Sequence, residues 1–245
     1  MNILKGKDEK IINNISVSFD EKYHILNESP LYSKKFDHVM SFHKPGLAAV
    51  KDSSGSYHID IKGNAAYKRV FLSTFGFYNE IAAVSDESGF FHIRPDGSDL
   101  HNSRYAWSGN FQEDRCVVRD FSGDYFHIDN KGNKPYSEKY AYVGDYKYGI
   151  ACVYDYNGLA THIDLNGHLI HGKMFEECSP FHKGHSVVKE KFGYFHIDKY
   201  GNELYSERFL WIESYYNGVA LCRTKDGRLC RLSDKGELTA IYEGK

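Results

Sequence analysis

Tyr57-His58-Ile59-Asp60, Phe91-His92-Ile93-Arg94, Phe126-His127-Ile128-Asp129, Thr161-His162-Ile163-Asp164 and Phe195-His196-Ile197-Asp198 are five copies of one short motif. Their histidines follow one another at steps of 34, 35, 35 and 34 residues. One step back from His58 lies Tyr23-His24-Ile25, and one step beyond His196 lies Cys230-Arg231-Leu232. Seven units anchored at His24, His58, His92, His127, His162, His196 and Arg231 therefore fill almost all of the 245 residues. Self-similarity sustained at this period marks a repeat architecture and decides the fold class before any other feature.

Within a unit the pattern has period two. Gly46, Ala48 and Val50 fall on one face of a segment; Tyr57 and Ile59 fall on one face of the next, with His58 and Asp60 on the other. Alternation over four to six residues rich in Val, Ile, Tyr and Phe predicts strands. Between them stand turn residues such as Ser54-Gly55, Asn157-Gly158, Lys62-Gly63-Asn64 and Lys131-Gly132-Asn133. Three or four short antiparallel strands fit in each unit. Such a meander buries its faces only against neighbouring units. The expected fold is all-β: a β-propeller of seven blades of about 35 residues, with residues 1–245 as a single domain. A six-bladed ring or an open β-solenoid is the alternative. Glu237-Leu238-Thr239-Ala240-Ile241-Tyr242 resembles the start of a further unit, so the two ends of the chain are expected to share a sheet.

Several positions recur in register. Small residues occupy one slot (Ala48, Ala82, Cys116, Ala151, Ser186, Ala220), which suggests the innermost strand, where backbones crowd. Two aromatic rows follow: Phe36, Phe71, Tyr105, Tyr140, Phe175, Phe209, and Phe42, Phe77, Phe111, Tyr146, Phe181, Tyr216. Both rows are expected in the core. Tyr78, Tyr142 and Tyr215 stand outside them and are candidates for an exposed sugar- or peptide-binding face.

The sequence Phe42 to Val50, with its Gly46-Leu47-Ala48-Ala49-Val50, followed by a turn and Tyr57-His58-Ile59-Asp60, resembles the WG (KWG-type) repeats of bacterial proteins over about residues 23 to 242. It departs from them in replacing the Trp-Gly pair with aromatic-His, as in Phe126-His127 and Phe195-His196. This His-Ile-Asp variant is similar to modules found beside methyltransferase domains, although no methyltransferase motif is present. The resemblance implies a β-repeat binding or interaction module and supplies no ligand or catalytic residues.

Composition sets further bounds. Hydrophobic residues make up 41% and charged residues 26%, as in an ordinary globular chain. The formal charge of −2 gives no electrostatic reason for a nucleic-acid partner. The charged start, Met1 to Lys10, is not read as a secretory signal, and no apolar run is long enough to span a bilayer. The five cysteines form no C-x-x-C pair and are read as reduced thiols of a cytoplasmic protein.

Two readings compete for each suggestive residue. His58, His92, His127, His162 and His196 either converge on a metal ion or make one structural hydrogen bond per blade; the second is preferred. Asp60, Asp129, Asp164 and Asp198 precede x-x-Gly and are assigned to fixing the turn. Arg94 breaks that rule and is read as drift. His43, His101, His168, His171, His182 and His185 fall outside the repeated motif and are read as surface loop residues. No nucleophile motif, phosphate loop or H-E-x-x-H occurs, so no catalytic, cofactor-binding or metal-ligating residue is assigned and no cofactor is expected. The expectation is a non-enzymatic module that binds another protein or a fused domain. A carbohydrate or small-ligand binder is the alternative, and a metal-dependent enzyme using the histidines ranks below both.

Overall fold

A computed structural model describes residues 11–241 of the chain. Residues 1–10, on which the reading of the chain start rests, lie outside them, as does Tyr242. The chain folds into seven antiparallel sheets, one for each unit, with strands in chain order. The first sheet holds β1 (Ser16–Val17), β2 (His24–Leu26) and β3 (Ser29–Pro30). The second holds β4 (His38–Val39), β5 (Ala48–Asp52) and β6 (Gly55–Ile59). The third holds β7 (Ser73–Thr74), β8 (Ala82–Asp86) and β9 (Gly89–Ile93). The fourth holds β10 (Trp107–Gln112), β11 (Arg115–Arg119) and β12 (Tyr125–Asp129). The fifth holds β13 (Tyr142–Val143), β14 (Ile150–Tyr154) and β15 (Ala160–Asp164). The sixth holds β16 (Glu177–Cys178), β17 (His185–Glu190) and β18 (Gly193–Asp198). The last holds β19 (Trp211–Ile212), β20 (Val219–Arg223), β21 (Leu229–Ser233) and β22 (Leu238–Ala240). The fold class is all-β, of the seven-bladed β-propeller type, and the six-bladed count is excluded.

Two expectations change. β22 is the fourth strand of the last sheet, antiparallel to β21, so the C-terminal strand does not complete the first sheet. The small-residue strand is the middle strand of the second, third, fifth and sixth sheets, not the edge strand. A two-residue strand precedes it in each of these sheets, and these short strands were not visible as alternation because two residues carry no period.

The described residues group into two compact units: 11–123 with 128–133, and 124–127 with 134–241. In the first unit, Ala49 pairs with His58 and Ala83 with His92 in the same register. In the second, Cys152 pairs with His162 and Val187 with His196. These strand pairs are covered on both faces: Ala48, Ala49, Val50, Tyr57, His58 and Ile59 are all buried. That explains the near-continuous apolar run of the middle strand, because a sheet packed on both sides has no solvent face to keep polar. The core lies between successive sheets. In the first unit Leu47, which precedes β5, joins Phe71, Phe77, Ala82, Val84, Phe91 and Ile93 of the next repeat. In the second unit Ile150 of β14 packs on Phe175, Phe181, Val188, Phe195 and Ile197.

The turn into the third strand of a sheet sets how close its neighbour comes. Gly193 has φ +122°, a conformation open only to glycine, and a Cβ there would collide with the backbone carbonyl of Phe209. Gly158 has φ +80° but nothing near its absent Cβ. Gly193→Ala is therefore expected to cost at least about 2 kcal/mol, against about 1 for Gly158→Ala. Chemical denaturation of the two variants checks the order.

Candidate functional site

Each repeat histidine is buried and uses both ring nitrogens. In the first unit Nε2 meets a backbone carbonyl 16 or 17 residues ahead: Met40 at 2.8 Å from His24, Phe75 at 2.8 Å from His58, and Gly109 at 3.3 Å from His92. In the second unit His127 reaches Gly144 at 2.9 Å, His162 reaches Ser179 at 2.9 Å and His196 reaches Glu213 at 2.9 Å. Each carbonyl lies in or just after the short strand that opens the following sheet. The imidazole thus ties its own strand, the second in the first sheet and the third in the others, to the first strand of the next sheet.

A carbonyl can only accept, so Nε2 carries the proton. In the neutral ring Nδ1 then accepts. It takes the hydroxyl of Tyr32, Tyr67, Tyr136 and Tyr205 from His24, His58, His127 and His196 respectively. A second ring packs on the imidazole: Phe42 on His24 at 4.4 Å, Phe77 on His58 at 4.5 Å, Phe111 on His92 at 4.9 Å, Tyr146 on His127 at 4.4 Å, Phe181 on His162 at 4.6 Å and Tyr215 on His196 at 4.2 Å. Burial favours the neutral ring, lowering His24 and pushing His58, His162 and His196 down to about 4 and His92 to about 3. In the last sheet the anchor is Arg231, which is exposed and pairs across the strands with Thr239 of β22.

Three sequence readings are corrected. Tyr215, not Tyr216, belongs to the aromatic row; it is buried against His196, while Tyr216 is exposed. A one-residue slip exchanges the faces of a segment. His101 and His171 are not surface loop residues. They stand nine residues after His92 and His162, in the slot of Tyr67 and Tyr136, and present Nε2 to the repeat imidazole at 3.0 Å. His101 is buried, and its Nδ1 has no hydrogen-bond partner. Finally, Cys152 and Cys178 are joined by a disulfide, so not all five cysteines are thiols; Cys116, Cys222 and Cys230 are free and buried.

The aspartates sit in turns. Asp60 Oδ1 accepts the amides of Lys62 at 2.9 Å and Asn64 at 3.0 Å, and Asp129, Asp164 and Asp198 repeat this pattern. In the unit that lacks this Asp, the Arg94 guanidinium donates to the carbonyls of Asp99 and Leu100. Two arginines pack on buried rings: Arg104 lies 3.6 Å from the centre of Phe91, and Arg208 lies 3.6 Å from that of Phe195. A cleft of about 540 Å³ beside Tyr57 and Tyr67 contains Lys34 and Arg69, but Asp52 and Asp99 already pair with them.

Among the described residues, one group brings three residues with metal-ligating side chains together: Cys152, His162 and Cys178. Sequence spacing missed it, because the contact between Cys152 and Cys178 crosses from one sheet to the next. The available signal was that both cysteines replace residues of other types in the other repeats. Several large aromatic side chains are exposed. Phe121, Tyr156 and Phe192 lie on turns between second and third strands, and Trp107, Tyr142 and Trp211 lie on first strands.

No protein family profile matches the chain, and no curated protein does. Solved structures do. The chain is similar to the computationally designed Ika8 protein, at 15% identity over 91% of this chain and 81% of that one, with a TM-score of 0.49. It is also similar to BamB from Moraxella catarrhalis, at 12% identity over 89% of this chain and 76% of that one, with a TM-score of 0.47. The WD40 β-propeller domain of Doa1 matches at 12% identity over 89% of this chain and 87% of that domain, with a TM-score of 0.37.

Two outcomes follow from the imidazole ties. His127→Ala orphans the Tyr136 hydroxyl and removes the ring under Tyr146, and it is expected to cost about 2–4 kcal/mol. Thermal melting of the purified variant measures it; an unchanged midpoint would move His127 out of the cohesive role. The second outcome concerns pH. Folded His58, His92, His162 and His196 titrate below their unfolded value, so the unfolded chain binds more protons between about pH 6.5 and 4. Their contribution is complete above pH 6.5 and lost as pH falls toward 4, at up to about 1.4 kcal/mol per pH unit for each ring. The paired carboxylates act lower, since their pKa values are depressed from 3.8. Denaturation midpoints measured from pH 7.5 to 4.5 are expected to fall steadily.

Proposed function

We propose that this chain is a non-enzymatic binding module of the WG-repeat type whose ligand is another protein, either a separate partner or a domain fused to it. One observation carries the reading. The repeated polar groups with catalytic potential are engaged in cohesion, while large aromatic side chains stand in solvent. Tyr156 is 63% exposed, Phe192 66%, Tyr142 50% and Trp211 42%. Aromatic residues of this kind supply the anchors of protein interfaces. The proposal assigns no enzymatic activity and no nucleic-acid partner, since a charge of −2 creates no field that attracts phosphate. No helix among the described residues is long and apolar enough to cross a membrane. A cytoplasmic setting belongs to the same proposal, and the Cys152–Cys178 disulfide is the feature that points the other way.

A glycan or small-ligand reading is favoured by one cluster. The half-exposed Tyr142 ring lies 5.8 Å from Tyr125 and 6.0 Å from Tyr154, so three tyrosines offer stacking faces and hydroxyls together. Photo-crosslinking residues placed at Tyr142, Tyr156, Phe192 and Trp211 in cells of the source organism are expected to trap one defined protein. Serine at the same position should abolish its binding while leaving the melting temperature within a few degrees. No trapped protein, together with glycan binding that Tyr142→Ser abolishes, would replace this reading with the second.

A further inference from the structure

Cys152 and Cys178 stand where the other repeats carry residues of a different kind. The slot of Cys152 on the second strand holds Ala49, Ala83 and Val187 elsewhere, and the slot of Cys178 on the first strand holds Val39, Thr74, Val143 and Ile212. Val187 and Ile212 belong to one apolar cluster, so in the next repeat these two slots pack against the same core. In the fifth and sixth sheets that pairing has become two sulfur atoms joined across the gap. Cys152 pairs across the strands with His162, and both are buried, whereas Cys178 is only partly so. The two Sγ atoms and an imidazole nitrogen of His162 all lie within 4.8 Å of one another.

We propose that Cys152, Cys178 and His162 form a redox-gated site for one soft d10 metal ion, Zn²⁺ or Cu⁺, closed while the disulfide stands and opened by its reduction. The ligand chemistry fits: thiolate and imidazole are the preferred donors for both ions. His171 supplies an outer contact, with its Nε2 3.0 Å from Nδ1 of His162. Such a partner fixes a ligating ring and its tautomer. Ser186 Oγ, 3.3 Å from His162 Nε2, adds an oxygen donor at the same place.

The steps balance. A thiol reductant gives two electrons to the S–S bond and is itself oxidised to a disulfide; the two sulfurs take up two protons. Metal binding then releases those two protons; the ion takes His162 Nε2 in place of the bond to Ser179, the ring proton moves to Nδ1, and the His171 proton moves from Nε2 to its own Nδ1 so that His171 Nε2 accepts.

The test uses the full chain, reduced with a phosphine, freed of reductant under inert gas, and offered Zn²⁺ or Cu⁺ separately. Co²⁺ serves as the spectroscopic stand-in for Zn²⁺. Reduced wild type is expected to retain one ion per chain after dialysis against a weak chelator, and the Co²⁺ form should show thiolate charge-transfer absorption. The unreduced chain, Cys152→Val and Cys178→Val should retain at least tenfold less. Both substitutions install residues that sibling repeats carry in those slots, and a thermal melt confirms that they fold. Retention of Zn²⁺ or of Cu⁺ alone identifies the ion. Retention of neither by the reduced wild type, or equal retention by the valine variants, overturns the proposal.

Discussion

The structure depends on one interaction made six times: a buried imidazole whose Nε2 proton goes to a carbonyl of the following sheet. Hydrophobic burial is the larger energy. Each Phe or Ile in the inter-sheet clusters contributes about 1.5–3 kcal/mol, against about 1 kcal/mol for a hydrogen bond. Apolar contact alone, however, tolerates sliding. A hydrogen bond with a donor on one sheet and an acceptor on the next does not, because a shift of one residue leaves both buried groups unpaired. The aromatic rows drive the sheets together, and the histidines set where they stop.

Neutrality of the ring follows from the same geometry. A carbonyl at Nε2 and a hydroxyl at Nδ1 satisfy one donor and one acceptor, which is the inventory of an uncharged imidazole. A second proton would turn Nδ1 from acceptor into donor inside an apolar shell, beneath Phe42, Phe77 or Tyr215. Desolvation opposes that charge and dominates the weaker favourable effect of the carbonyl. The same reasoning applies where His101 and His171 replace tyrosine, since each still offers an N–H to the repeat ring.

The repeat made most of the fold legible. Period, strand alternation and turn residues located all seven sheets, because each of those signals is local and is written several times. What failed was whatever depends on one residue or on two distant ones. Tyr215 and Tyr216 are adjacent aromatics that composition cannot separate; the buried one is fixed by its three-residue distance to Gly218, as Phe181 is to Gly184. His101 and His171 were set apart because a tyrosine-to-histidine change looks like a break in the motif. Physically it keeps the motif, since both residues offer a hydrogen-bond donor at the end of a planar ring. The Cys152–Cys178 contact has no local sequence signal at all, because the two residues meet only once separate sheets have packed.

This asymmetry says where function can lie. A position that recurs in every repeat answers to a demand every repeat shares, and cohesion is the demand they share. The histidines, the turn aspartates and the arginines stacked on Phe91 and Phe195 all meet it. Chemistry particular to this chain must then come from positions where one repeat differs from its siblings without loss of packing. Cys152 and Cys178 meet that condition on the inside, in slots that hold Ala49, Ala83 or Val187 and Val39, Thr74, Val143 or Ile212 in other repeats. Tyr156, Phe192 and Trp211 stand on the outside, where solvent would accept a polar residue and several repeats instead keep a ring exposed. A regular scaffold separates the two classes of residue, and its irregularities are the places at which a ligand has something to recognise.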